Sequence, residues 1–135
     1  MLSYKKDAPN AEAFGARGSP MITGTGIDII EIDRVQKAVE RWGQSFLNHV
    51  FTPQEIAYAQ KYKFPYPHYA GRFAAKEAIF KAIGDDRITW KDLNILNDHQ
   101  GKPYCTFYKN GFHSTIFLTI SHSRDYAVAQ AIVEA

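Results

Sequence analysis

Three side chains far apart in the sequence set the chemical question. Asp28 stands near the end of "MITGTGIDII", Glu77 in the middle of "GRFAAKEAIFKAIG", and Lys81 one helical turn beyond it. On a roughly 3.6-residue period, Ala70, Phe73, Ala74, Glu77, Phe80, Lys81 and Gly84 share one side of a helix, where Leu or Ile is the ordinary choice at position 77. Two carboxylates in apolar surroundings repel unless a cation joins them or one is protonated. A hard dication such as Mg²⁺ takes oxygen ligands, commonly one or two carboxylates with waters and substrate phosphate oxygens. Lys81 is placed to meet such phosphates. The plainer alternative pairs Glu77 with Lys81 at i, i+4 on a solvated face and leaves Asp28 to cap a turn. Pattern alone leaves both open.

Other stretches carry weaker signals. "SHSRDY" (121–126) suggests a Ser–His–Asp hydrolase, but neighbours in a regular strand point to opposite faces, so Ser121 and His122 cannot serve one substrate. The nucleophile elbow of such enzymes is missing too. His122 reads as a hydrogen-bonded structural residue, or as a donor to a phosphate when ionised. The glycines of "GTGID" form neither a dinucleotide fingerprint nor a Walker loop. Gly24 and Gly26 thin one strand face, leaving room for a ligand or another backbone. Arg34, Lys37 and Arg41, spaced i, i+3, i+7, form a basic stripe that is either a solvated helix face or a dock for an acidic partner.

The elements that must position these residues follow from periodicity and capping. "MITGTGIDII" alternates as a strand, with Gly24, Gly26 and Asp28 on one face and Thr25, Ile27 and Ile29 on the other. Asp33, with Gln36 as capping-box partner, predicts a helix over about 34–48 that turns Val35, Ala38, Val39, Trp42 and Phe46 to the core. "TPQE" (52–55) is a second helix start, with Thr52 as cap, Pro53 at the first position and Glu55 closing the box. A third helix runs from about 68 to 83 and stops at Gly84. Strands follow at 93–96, 103–108, 115–121 and 126–133, with turns at "NDHQGK" and "KNG". The order predicts an α+β fold, an antiparallel sheet packed with about three helices.

The chain has 135 residues, enough for one core without disulfides or structural metal. Its formal charge of +2 is too mild to indicate nucleic acid. An RNA-binding module stays a distant alternative, since Tyr and Phe interleave with basic residues at 58–73. The single Cys105 fits a reducing compartment, and no apolar run approaches a membrane span. The expectation is a soluble, cytoplasmic protein. Residues 1–20, rich in Ala, Gly and Pro, read as an N-terminal extension, native or an expression remnant, before a domain at 21–135.

"GTGIDIIEIDR" (24–34), "GRFAAKEAIFKAIG" (71–84), "DHQGKPY" (98–104) and "ISHSRDYAVAQAIV" (120–133) occur in the order and rough spacing of the holo-acyl-carrier-protein synthases, and nearly all of 21–135 resembles that family. The resemblance implies a magnesium-dependent 4′-phosphopantetheinyl transferase of fatty-acid biosynthesis. Such an enzyme moves the phosphopantetheine arm from coenzyme A to a serine of apo-acyl carrier protein and releases adenosine 3′,5′-bisphosphate. It also implies that Asp28 and Glu77 bind Mg²⁺ and that Lys81 approaches the diphosphate. The resemblance does not fix the base for the serine proton; Glu77, directly or through a metal-bound water, is the candidate. Arg72, the Gly101–Lys102–Pro103 turn and His122 are implied around the nucleotide. Arg34, with Lys37 and Arg41 beside it, is implied at the acidic carrier. Homotrimers with inter-subunit active sites are the expected assembly. Two segments, after Gly84 and after Tyr108, are shorter than the family pattern. The alternative within the resemblance is a catalytically degenerate relative that binds a carrier protein or a nucleotide.

Overall fold

The computed structural model describes residues 21–108 and 111–135; residues 1–20 and the first two residues of the predicted "KNG" turn lie outside them. In chain order come β1 (Ile22–Glu31), α1 (Ile32–Trp42), α2 (Gln44–Val50), α3 (Pro53–Gln60), α4 (Tyr66–Ile83), a 3₁₀ turn (Trp90–Asp92), β2 (Leu93–Asn97), β3 (Pro103–Phe107), β4 (Thr115–His122) and β5 (Tyr126–Glu134). The α+β class is as expected. The described residues hold four α-helices, and the antiparallel strands divide into a three-stranded sheet ordered β1-β5-β4 and a separate β2-β3 hairpin.

α4 is the axis of the molecule. It packs on all three strands of the larger sheet and also meets α1, α3 and β2. Its buried positions include Tyr69, Ala70, Arg72, Ala74, Ala75, Lys76, Ala78, Ile79 and Ala82, so it is enclosed nearly all round and has no single apolar stripe. The run of alanines lets neighbouring backbones come close. The two strand glycines take this further. A β-carbon at Gly24 would collide with the carbonyl oxygen of Ala82, and one at Gly26 with that of Ala78. The space they leave is therefore filled by the backbone of α4, which runs antiparallel to β1.

The first helical region departs from expectation at both ends. α1 begins two residues earlier than predicted, and Asp33 is not its cap. The strand runs directly into the helix, and Ile32 N–H donates to Asp125 O at 2.8 Å, which satisfies an opening donor without a side chain. Asp33 instead pairs with Lys37 at 2.8 Å, and Gln36 donates to Glu40. The predicted 34–48 helix breaks at Gly43, whose φ of 57° and ψ of −134° are open chiefly to glycine. The break leaves Trp42 58% exposed, not turned to the core. α3 carries the expected capping box, with the Thr52 hydroxyl accepting from Glu55 N–H and the Glu55 carboxylate accepting from Thr52 N–H. α4 ends at Gly84 in the left-handed conformation.

Candidate active site

The Asp28–Glu77–Lys81 constellation assembles where β1 leaves its glycines behind. Gly24, Gly26 and Asp28 share the strand face that meets α4, and Asp28 is the first position on it able to carry a charge. Lys81 Nζ crosses from α4 to donate to Asp28 Oδ1 at 3.0 Å and to Ile27 O at 2.9 Å. The plain i, i+4 surface pair of Glu77 with Lys81 is therefore not what forms, nor does Asp28 cap a turn. Among the described residues the Glu77 carboxylate has no hydrogen bond and no ion pair. Burial first, and then the charge of Asp28, push its carboxyl above the usual carboxylate range, while Lys81 pulls it partly back. A half-buried carboxylate beside a second one is an oxygen-only donor set. That set fits Mg²⁺, which needs few protein ligands when phosphate oxygens complete its shell. No group of three or more His, Cys, Asp or Glu able to hold a metal occurs among the described residues.

The neighbouring residue on α4 has the opposite character. Lys76 is fully buried, and its ammonium donates to Glu55 Oε1 at 2.7 Å, Val50 O at 2.8 Å and Trp90 O at 2.9 Å. All three of its hydrogens are used. Glu55, equally buried, also accepts from Thr52 N–H at 2.8 Å and Ile95 N–H at 2.6 Å. Burial lowers the Lys76 pKa and Glu55 opposes that. The clamp ties α2, α3, α4, the 3₁₀ turn and β2 together. Sequence reasoning saw Glu55 only as a cap, and a capping box accounts for just part of its acceptor capacity.

A second group of charged residues lies on the other flank of α4. Arg72 is only 4% exposed. It donates to Asn97 Oδ1 and stacks its guanidinium 4.0 Å from the centre of the Tyr58 ring. Its Nε is buried with no hydrogen-bond partner. It lines a cleft of about 580 Å³ with Tyr58, Lys61, Asn97, His99, Gly101 and Tyr104. Gly101 has the expected positive φ, at +85°. Lys102 and Pro103 line a different groove of about 360 Å³, against Phe117, Gln130 and Ile132. His122 ends β4.

These two groups do not converge within one chain. Lys81 is nine residues beyond Arg72, and Glu77 nine beyond His68, which at 3.6 residues per turn is about half a revolution in each case. Glu77 and Lys81 face β1, whereas Arg72 and His68 face the hairpin and β4. β1 and β4 are the opposite edges of the sheet.

The basic stripe of Arg34, Lys37 and Arg41 is exposed along α1. Lys37 is held by Asp33, and Arg41 lies 4.8 Å from the centre of the Trp42 ring. The Cys105 thiol is pushed up to about 12 by burial, so it stays protonated and unreactive. No helix among the described residues is long and apolar enough to cross a membrane.

Comparison with known proteins decides the family. The 4′-phosphopantetheinyl transferase superfamily (ACPS) matches residues 24–131. The chain belongs to this superfamily. It is 46% identical over 119 residues to the holo-[acyl-carrier-protein] synthase of Protochlamydia amoebophila, covering 83% of this chain and 98% of that one. Identity to the synthase of Thermodesulfovibrio yellowstonii is 41% over 114 residues, covering 84% and 99%. Among solved structures, the synthase from Bacillus anthracis in complex with CoA (3′,5′-ADP) superposes with a TM-score of 0.75 at 37% identity, over 85% of this chain and 98% of that one. The Helicobacter pylori synthase in complex with coenzyme A gives 0.73 at 30% identity, over 81% and 98%. The chain is thus an enzyme of the holo-[acyl-carrier-protein] synthase type, and the general reaction of that group is phosphopantetheinyl transfer from coenzyme A to an apo-acyl carrier protein.

Proposed function

We propose that this chain performs that transfer in a Mg²⁺-dependent manner with Asp28, Glu77 and Lys81 at the reacting diphosphate. The observation that carries the reading is Glu77, a half-buried carboxylate without a protein partner, raised in pKa by burial and by Asp28. Asp28 and Glu77 would hold Mg²⁺, which would supply charge neutralisation at the phosphates. Lys81, tethered to Asp28 and Ile27 O, orients its ammonium toward the same diphosphate and offsets charge on the leaving group. Glu77 is the group that takes the proton of the carrier serine. The serine oxygen attacks the β-phosphorus, the bond to the bridging oxygen breaks, and adenosine 3′,5′-bisphosphate leaves.

Arg72, Gly101, Lys102, Pro103 and His122 hold the nucleotide in this reading. The unpartnered buried Nε of Arg72 suits an anion at the mouth of its cleft. These residues lie across α4 from Glu77, so a coenzyme A touching both sets joins two copies of the chain. The outward face of the three-stranded sheet supports such an assembly. Ile27 is 61% and Ile29 64% exposed, with Phe117 on the same face, an apolar surface unusual on a monomer. A homotrimer with shared sites, in a soluble cytoplasmic setting, is the form proposed. Arg34, Lys37 and Arg41 dock the acidic carrier, and 21–135 is the working domain. The test is to incubate the protein with apo-acyl carrier protein, coenzyme A and Mg²⁺ and weigh the carrier. A gain of one phosphopantetheine arm is expected; an unchanged carrier mass contradicts the reading.

A further inference from the structure

His68 has no part in the reading above, yet its placement ties it to His122. β4 packs on α4 through Ile116, Leu118 and Ile120, and Ile120 lies against Gly71, where a β-carbon would meet its side chain at 2.9 Å. Two residues on, the same strand face reaches His122; three residues back along α4 is His68. The two imidazoles meet edge to face, with centroids 6.1 Å apart, and this is the ring contact His122 makes among the described residues. His68 is fixed from the other side. It stacks on Tyr62 at 3.7 Å and touches the edge of Tyr58 at 5.7 Å, the ring that Arg72 covers. The Tyr62 hydroxyl donates to that of Tyr58 at 3.3 Å. A continuous ladder therefore runs from the Arg72 cleft to the C-terminal end of β4.

We propose that His68 is a positioning residue that holds the His122 ring in place by their edge-to-face contact, linking it to Tyr58, which lines the nucleotide cleft. The groups facing it from the elements around it are Arg72 on α4, His122 on β4 and the two tyrosines of the α3 region. Burial, with Arg72 and His122, keeps its pKa below the ordinary imidazole value, so at neutral pH it is an aromatic wedge. Coenzyme A affinity then depends on the shape of the residue at 68 more than on its ability to ionise. The proposal rests on the assignment of His122 to the nucleotide.

Coenzyme A binding by calorimetry at pH 7.5, on the full chain, tests it. H68A and H122A each weaken binding by about three- to tenfold, the range of one ring contact. H68A/H122A is no weaker than H122A, because His68 acts through its partner. H68F, which keeps the stack and the edge contact, stays within about twofold of wild type. Wild-type affinity in H68A, losses that multiply in the double variant, or H68F as weak as H68A overturns the proposal. So does a protein that binds no coenzyme A. A wild type that binds coenzyme A but leaves the carrier mass unchanged contradicts the transferase reading alone.

Discussion

Lys76 and Glu77 are adjacent on α4 and have opposite fates. Lys76 is sealed from solvent with every hydrogen donated, and Glu55 opposite it accepts backbone as well as side-chain donors. Glu77 is half-buried, raised in pKa and without a protein partner among the described residues. A charge whose partners are all present is architecture. A charge left short of partners, at a place where burial is costly, is where the proposed Mg²⁺ and diphosphate would complete the structure. One helix holds both because residues one apart are turned by about 100°.

The contrast breaks most sharply in turnover. D28A and E77A are each expected to lower transfer by about a thousandfold or more with the fold kept; carrier mass against time, with circular dichroism, checks both halves. K76A is expected to do the reverse. Leaving Glu55 buried and uncompensated costs about 3–5 kcal/mol of stability, read by urea unfolding, while activity per folded molecule falls far less. G26A tests the link between the two regions. A β-carbon there must push α4 off β1, at a cost of about 1–3 kcal/mol, and it separates Glu77 from Asp28, so activity is expected to drop more than stability.

The pH effect is smaller and its sign is fixed. Folded Glu77 holds its proton more tightly than the unfolded chain does. Its contribution therefore favours folding at low pH and fades as pH rises from the ordinary glutamate value through the raised one. E77Q is expected to remove that dependence and to melt slightly higher than wild type at neutral pH, while transfer is lost. In wild type, kcat/KM is expected to fall as acid protonates the same group. The smallest effect belongs to the α1 stripe. R34A and R41A are expected to raise KM for the carrier several-fold at low salt, with less difference at high salt, since exposed charges are screened.

Much of this was legible in the sequence because it rests on local rules. The Thr52–Glu55 box, the Gly84 stop, the strand boundaries and the Asp28 face all appear where spacing put them. What was hidden depends on partners distant in sequence. Asp33 looked like a cap, but a donor bond to Asp125 made a side-chain cap unnecessary. Trp42 looked like core because the helix was read straight through Gly43. Glu55 and Lys76 are 21 residues apart, and nothing local announces that one seals the other. The two glycines of β1 were read as room for a ligand or a backbone, and only α4 itself shows which.

The most direct measurement is coenzyme A affinity with and without Mg²⁺, in wild type and in D28N and E77Q. Tighter binding with Mg²⁺ in wild type, absent from both variants, is the expected result. Equal Mg²⁺ enhancement in all three proteins contradicts the shared metal site.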